Sequence, residues 1–238
     1  MDDRVVFLGL ARNCAHSLPR LLDVLSQVGR EVPDWGYAFL ESDSYDGTLR
    51  LLRAFDEQHQ RGIVRGYGRV RSRHPSRTER LAYLRNEYLR LVREDLRLSA
   101  FEVAVVLDMD AVNDAMDPAR ILSLLQERPR TWAGVFANQS ERYFDIWALR
   151  HPEWSPDDCW ARVEQRPPSM SRDDAVRQFV QSRMIRLPPG ADRVEVESAF
   201  GGLGIYDLTA LEGCTYSGRT PAGAPVCEHV PFHAQIRA

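Results

Sequence analysis

Lysine is missing from this chain of 238 residues, and all 31 of its basic residues are arginine. Any mechanism that needs an ammonium group, such as a Schiff base or a phosphate-loop lysine, is thereby excluded. Long apolar runs are lacking too. No stretch approaches the length of a membrane span, and the N-terminus enters a predicted strand at residues 4–10 without a signal-peptide pattern. A cytoplasmic location is expected. Charge of one sign is not in excess, and a net charge of −3 gives no overall pull toward nucleic acid or acidic lipid. Cysteine is sparse: Cys14, Cys159, Cys214 and Cys227 form no Cys-x-x-Cys pair. Reduced thiols are expected, with a Cys214–Cys227 bridge as the alternative. A hydrophobic fraction of 44% suffices for one α/β domain or two tightly fused ones.

What is present centres on residues 101–112, FEVAVVLDMDAV, a β-branched apolar run that ends in Asp108 and Asp110. Residues two apart on a strand project to the same side. Ligand crevices of α/β sheets lie outside the carboxyl ends of strands, so this pair is placed for a divalent metal or a polar substrate. The pattern reads as the Asp-x-Asp of a sugar-nucleotide transferase.

The segments before it alternate between strand and helix. Residues 4–10 are nearly continuous in apolar character, as in a strand covered on both faces, and run into Ala11, Arg12 and Asn13. Leu18, Leu21, Leu22, Leu25 and Val28 then recur at helical spacing, with Ser17 available as a cap and Gly29 past the end. A second strand, 35–40, ends in Glu41, Ser42, Asp43 and Ser44; a helix carrying Leu49, Leu52 and Phe55 and a short strand at 62–67 follow. Ser76 and Glu79 have capping-box spacing ahead of a helix with Leu81, Leu84, Tyr88 and Leu91 as its stripe. Such alternation predicts a largely parallel sheet.

Beyond residue 112, Asp117 and Pro118 mark a helix start, and residues 131–138 and 142–149 read as strands. Residues 151–181 read as a helical insertion, in which two Asp-Asp pairs, 157–158 and 173–174, complement helix dipoles. Residues 184–187 and 194–196 read as short strands around a Pro-Pro-Gly turn. Phe200 leads into Gly201, Gly202 and Gly204, a loop that needs positive φ or close backbone approach.

A nucleotide-sugar donor needs a nucleoside cradle, charge neutralisation at the diphosphate, and a pocket for sugar and acceptor. Mn²⁺ or Mg²⁺ on Asp110, with Asp108 as second ligand or ribose contact, suits hard oxygen donors. Arg12, Arg80 and Arg85 are candidates for phosphate contacts, and Glu41 and Asp43 for hydrogen bonds from base or ribose. His229 or His233 is the candidate that completes the metal shell; Cys227 with both histidines in a zinc site is the alternative, but no fourth ligand is near in sequence. An inverting reaction needs a base, for which Asp145, Glu197 and Glu228 are candidates. In the favoured retaining reaction these residues orient the acceptor.

Two rival readings remain at this level. VVLDMDAV also fits a haloacid dehalogenase-type phosphatase, with Asp108 as nucleophile and Asp110 as acid. The late position of that strand and the missing lysine count against it. The other rival is a non-catalytic nucleotide-binding protein of transferase fold.

Blocks in order along the chain carry a resemblance: GLARN (9–13), ESDSYDGT (41–48), RTERLAYLRN (77–86), VVLDMD (105–110), FANQSERYFDIWALR (136–150), SPDDCW (155–160), SAFGGLGIY (198–206) and CEHVPFH (227–233). The chain resembles GT-A glycosyltransferases, and among them the fungal capsule-associated α-1,3-mannosyltransferase family. The resemblance implies a GT-A nucleotide-sandwich, Rossmann-like mixed sheet flanked by helices, with a nucleotide-binding half at 1–112 and an acceptor-binding half at 113–238. It implies a divalent metal on Asp108 and Asp110, a GDP- or UDP-sugar donor, possible transfer of mannose to a hydroxyl acceptor, and retention. It places the nucleotide near Ala11, Arg12, Asn13, Glu41 and Asp43, and sugar or acceptor near Asp145, Trp147, Phe200, Gly201 and Gly202.

Overall fold

Strand β1 (Val5–Ala11) is buried at six of its seven positions and shows no polar alternation, which suits a strand with packed layers on both faces. The chain continues through α1 (Leu18–Arg30), β2 (Trp35–Glu41), α2 (Thr48–His59), β3 (Gly62–Gly66), α3 (Arg77–Glu94), β4 (Val103–Asp108) and α4 (Pro118–Glu127). Then come β5 (Gly134–Phe136), α5 (Cys159–Glu164), α6 (Arg172–Phe179), β6 (Leu203–Asp207) and α7 (His229–Ile236). This computed structural model describes residues 3–139, 141–188 and 190–238. Ser140 and Pro189, which belong to the FANQSERYFDIWALR block and the Pro-Pro-Gly turn, lie outside the described residues.

The six strands form one mixed sheet in the order β3-β2-β1-β4-β6-β5. β1 runs parallel to β2 and β4, β2 runs parallel to β3, and β6 is antiparallel to β4. α3 packs on β1 and β2, while α1 packs on α2 and α4. The expected α/β architecture, a mixed sheet flanked by helices, is the one the chain adopts. After β3 the chain returns past β1 to lay down β4 on its other side. Strand order therefore reverses between β1 and β4, the switch point at which such sheets open a crevice.

Contacts divide the chain into two units, Met1–Val135 with Gly202–Gly213, and Phe136–Gly201 with Cys214–Ala238. The first holds the parallel strands. The second has its own core, in which Tyr143, Ile146, Leu149, Cys159, Val163, Ala175, Val180 and Ala199 cluster. Asp158 caps α5 by accepting from the backbone N–H of Trp160 and Ala161, and Ser171 caps α6 by accepting from that of Asp174. The dipole reading of the Asp-Asp pairs is consistent with these caps.

Several local expectations fail. Residues 142–149 form no strand: only 146–148 are turn, the buried residues are Tyr143, Ile146, Ala148 and Leu149, and Phe144 is 48% exposed. A strand would have buried every second residue. Residues 184–187 and 194–196 pair with no strand, and Val194 is exposed. Ser76 is the N-cap of α3 and Ser17 that of α1, yet neither makes a side-chain cap hydrogen bond; the Ser76 hydroxyl meets that of Thr78 at 3.2 Å. All four cysteines are free and buried, so there is no Cys214–Cys227 bridge. Burial pushes the Cys14 and Cys159 thiols up to about 11, which keeps them protonated at neutral pH.

A buried ion pair ties the start of the chain to the segment after α4. Asp3 accepts from Arg128 Nη1 at 2.8 Å and from Arg130 Nη1 at 2.7 Å, with Asp3 and Arg128 both under 10% exposed. The Arg128 hydrogen bond holds the Asp3 carboxyl below the usual carboxylate range against the opposing effect of burial. Asp3→Ala strands the Arg128 guanidinium and is expected to cost about 3 kcal/mol in urea unfolding at pH 7. Because the folded carboxyl titrates lower than the unfolded one, the contribution is full above the unfolded value and is lost as pH falls through the folded one. The gap between wild type and variant should therefore shrink below about pH 4.

Candidate active site

Parallel register sets the first unit's carboxyl edge. Ala11 lies opposite Glu41 on β2, and Leu10 lies opposite Asp108 on β4, so three strand ends terminate side by side. Asp110 follows two residues beyond the end of β4 in extended conformation and accepts from the Val112 N–H at 3.2 Å. Between the two aspartates, Met109 is buried, folded against Gly9 of β1: a Cβ on Gly9 would stand 2.4 Å from the Met109 sulfur. A side chain at position 9 would displace Met109, which lies between the two carboxylates and packs on β1. Asn113 braces it by donating to the carbonyls of Asp108 (2.7 Å) and Gly202 (2.9 Å).

The loops after β1 and β2 interlock. Asn13 N–H donates to Ser44 Oγ, Tyr45 N–H donates to Asn13 Oδ1, and Ser44 N–H donates to Glu41 Oε1, each near 3.0 Å. Cys14 N–H reaches Thr48 Oγ1 at 2.9 Å, and Ala15 N–H reaches Asp46 Oδ2 at 3.1 Å. Asn13 (φ 49°) and Asp43 (φ 60°) take left-handed conformations, which their side-chain types tolerate better than most and which cluster at functional sites. Both Asp43 oxygens accept from the Arg71 N–H at 3.1 Å.

Buried cations approach this edge from α3. Arg85, 3% exposed, brings Nη2 to 3.5 Å from Asp108 Oδ1 and donates to Tyr88 Oη at 3.1 Å. Arg80 is also buried and donates to the carbonyls of His74 and Pro75. Burial holds its guanidinium below the usual arginine range, opposed by the field of Asp43 and reinforced by Arg12, Arg71 and Arg77. Both phosphate-contact candidates on α3 thus turn inward. Alongside lies an open cleft of about 600 Å³ lined by Arg12, Asp43, Ser44, Tyr45, Arg69, Arg71 and Ser72. Tyr45, with 88% of its surface exposed, and the 69–72 segment were not among the sequence candidates. Their signal in the sequence is the arginine-rich stretch directly after β3.

The remaining candidates belong to the second unit, apart from Gly202. Asp145 Oδ2 accepts from the Gly201 N–H at 3.2 Å, Gln139 donates to the Gly201 carbonyl at 2.6 Å, and Tyr143 Oη accepts from the Phe200 N–H at 3.0 Å. Gly201 sits at φ 67°, so the glycine is conformationally required. Trp147 donates to Asp158 at 2.9 Å. Glu197 is exposed, whereas Glu228 is 3% exposed and lies 3.9 Å from His229 Nε2. His229 stacks on Phe200 at 4.0 Å, and His233 Nδ1 lies 2.9 Å from Ser198 Oγ. Gly202 falls in the first unit, where its carbonyl accepts from the Asp108 N–H at 2.9 Å.

No protein-family model and no curated protein matches the chain. The fungal capsule-associated family is therefore not shown. Solved structures are similar at low identity. The mannosyltransferase PcManGT of Pyrobaculum calidifontis, in complex with GDP-Man and Mn²⁺, is 16% identical at a TM-score of 0.46 over 91% of this chain and 48% of its own. Glucosyl-3-phosphoglycerate synthase of Mycobacterium tuberculosis with UDP is 12% identical at 0.49 over 99% and 64%. Mannosyl-3-phosphoglycerate synthase of Rubrobacter xylanophilus is 15% identical at 0.44 over 88% and 54%. The chain spans about half to two thirds of the length of these three proteins. At such identities and TM-scores they assign it no activity or substrate.

Among the described residues, no group of three or more His, Cys, Asp and Glu side chains is placed to hold a metal, so the zinc alternative on Cys227, His229 and His233 is not met. Asp108 and Asp110 offer two carboxylates instead. That donor set fits Mg²⁺ or Mn²⁺, hard cations that fill the rest of their shell with water and phosphate oxygens. Positioning of the pair depends on Met109 against Gly9. Gly9→Ala is expected to overpack this contact and cost about 1–3 kcal/mol in denaturant unfolding. An unchanged unfolding midpoint would contradict the anchoring role.

Proposed function

We propose that the chain is a GT-A type glycosyltransferase that moves a hexosyl group from a GDP- or UDP-sugar to an acceptor hydroxyl. The observation that carries this reading is the arrangement of Asp108 and Asp110 at the β1/β4 switch point, with the buried Arg85 guanidinium 3.5 Å from Asp108. Carboxylates alone would repel a diphosphate. With Arg85 compensating Asp108, the exposed Asp110 is the stronger metal ligand and Asp108 the second.

A divalent cation held there, Mn²⁺ or Mg²⁺, would neutralise the diphosphate as the sugar bond breaks. Arg12, Arg80 and Arg85 direct positive charge at phosphate oxygens from the protein side. Glu41 and Asp43, with the backbone of Ala11 and Asn13, offer acceptors and donors to ribose and base in residues 1–112, the nucleotide-binding half. The exposed Tyr45 ring offers the base a flat face.

In the acceptor-binding half, residues 113–238, we assign acceptor orientation to Asp145. Its carboxylate is partly exposed and oriented by the Gly201 N–H, whereas Glu228 is buried and Glu197 stands at the surface. Trp147, Phe200 and the glycine loop shape the acceptor side. We assign His229 and His233 to packing, because both rings are buried among Phe200, Phe232 and Tyr216 or Phe136. Retention, mannose as the sugar and a cytoplasmic location complete the proposal. No helix among the described residues is long and apolar enough to cross a membrane.

The reading is tested by calorimetric titration of GDP and UDP with and without Mn²⁺. One nucleotide should bind at least about tenfold more tightly with metal, and that gain should vanish in Asp110→Ala. Equal affinity with and without metal in a folded protein would contradict it.

A further inference from the structure

Between Glu57 and Glu79 the sequence carries Arg61, Arg65, Arg69, Arg71, Arg73 and Arg77 and no acidic residue, in a chain whose net charge is −3. Three guanidinium groups, those of Arg12, Arg69 and Arg71, line one cleft, and none makes a side-chain hydrogen bond or ion pair among the described residues. The single acid in the cleft lining, Asp43, accepts from the Arg71 backbone N–H with both oxygens. Other arginines, among them Arg4, Arg61, Arg90, Arg97, Arg128, Arg150 and Arg183, meet carboxylates. Three like charges gathered in a concave surface with one carboxylate among them repel one another, and the repulsion is relieved when an anion enters. Burial is the chief cause of the lowered guanidinium of the neighbouring Arg80, and the charges of Arg12 and Arg71 add to it.

We propose that Arg12, Arg69 and Arg71 form an anion subsite that binds a phosphate or diphosphate group without a divalent metal. It lies at the ends of β1 and β2 and after β3, whereas the carboxylate pair lies at the end of β4. Guanidinium forks suit phosphate oxygens, and their charge is lost at no accessible pH. The inference rests on the transferase reading, which already turns Arg12 toward phosphate, and deepens it: it adds Arg69 and Arg71 and assigns the three a phosphate contact that needs neither Asp108 nor Asp110.

Sodium pyrophosphate, titrated calorimetrically into the full chain in EDTA, is the probe. Wild type should bind it, more weakly as salt rises, and Arg69→Glu and Arg71→Glu should each lower affinity about tenfold or more. Arg53→Glu, on the exposed face of α2, should leave affinity unchanged, and Arg69→Gln with Arg71→Gln gives a milder pair should the charge reversals unfold the protein. Asp110→Ala should keep metal-free pyrophosphate binding while losing the metal-dependent gain in nucleotide affinity, which separates this inference from the transferase reading. No binding in EDTA, binding that survives in the Arg69 and Arg71 variants, or binding that disappears in Asp110→Ala would overturn the subsite. So would binding to phosphatidylglycerol vesicles without binding to pyrophosphate, which would make the patch a membrane-facing surface.

Discussion

The parallel register of β2, β1 and β4 is the constraint on which the rest of the candidate site depends. Because Ala11 pairs opposite Glu41 and Leu10 opposite Asp108, three strands end at one level and hand their polar loops to one edge. Shifting any of these strands by one residue would turn its side chains to the opposite layer. The strands are covered on both faces, so such a slip would also expose or overpack apolar side chains such as Phe7, Phe39 and Val105. The core that stabilises the sheet therefore also fixes where its polar ends arrive, and Met109 against Gly9 carries that order one residue past β4.

Two groups of arginines stand out by their electrostatic surroundings. Some, such as Arg128 with Asp3 and Arg150 with Asp158, are used to hold segments together, and these are paired. Arg80 and Arg85 are buried beside the carboxylate edge, and Arg12, Arg69 and Arg71 stand in a cleft without side-chain partners among the described residues. A protein without lysine must do both jobs with guanidinium groups. Their planarity and fixed charge favour bidentate contact with carboxylate or phosphate over proton transfer.

Much of the fold was legible in the sequence because burial on both faces leaves an unmistakable run of apolar residues. β1, β2 and β4, and the stripes of α1 and α3, follow directly from such patterns. The second unit was less legible. Residues 142–149 are as aromatic as a strand, but their buried positions, Tyr143, Ile146, Ala148 and Leu149, follow no two-residue alternation, and only tertiary packing reveals it. Asp108, Asp110 and Glu41 were legible as candidates because strand ends are local features. Tyr45, Arg69 and Arg71 were not, because their cleft is assembled from three loops that no periodicity links. Arg80 and Arg85 were candidates for phosphate contacts, but the depth of their burial was hidden, since a charged residue on a helix ordinarily faces water.

The central claim is that the edge formed by β1, β2 and β4 is a metal-assisted nucleotide site. The most direct measurement is anomalous diffraction at the manganese edge from crystals grown with Mn²⁺ and the nucleotide diphosphate that binds. The account predicts one manganese peak within coordination distance of Asp110, bridged to the diphosphate, with the nucleoside toward Glu41 and Tyr45. A manganese peak elsewhere, or a nucleotide seated away from this edge, would contradict it.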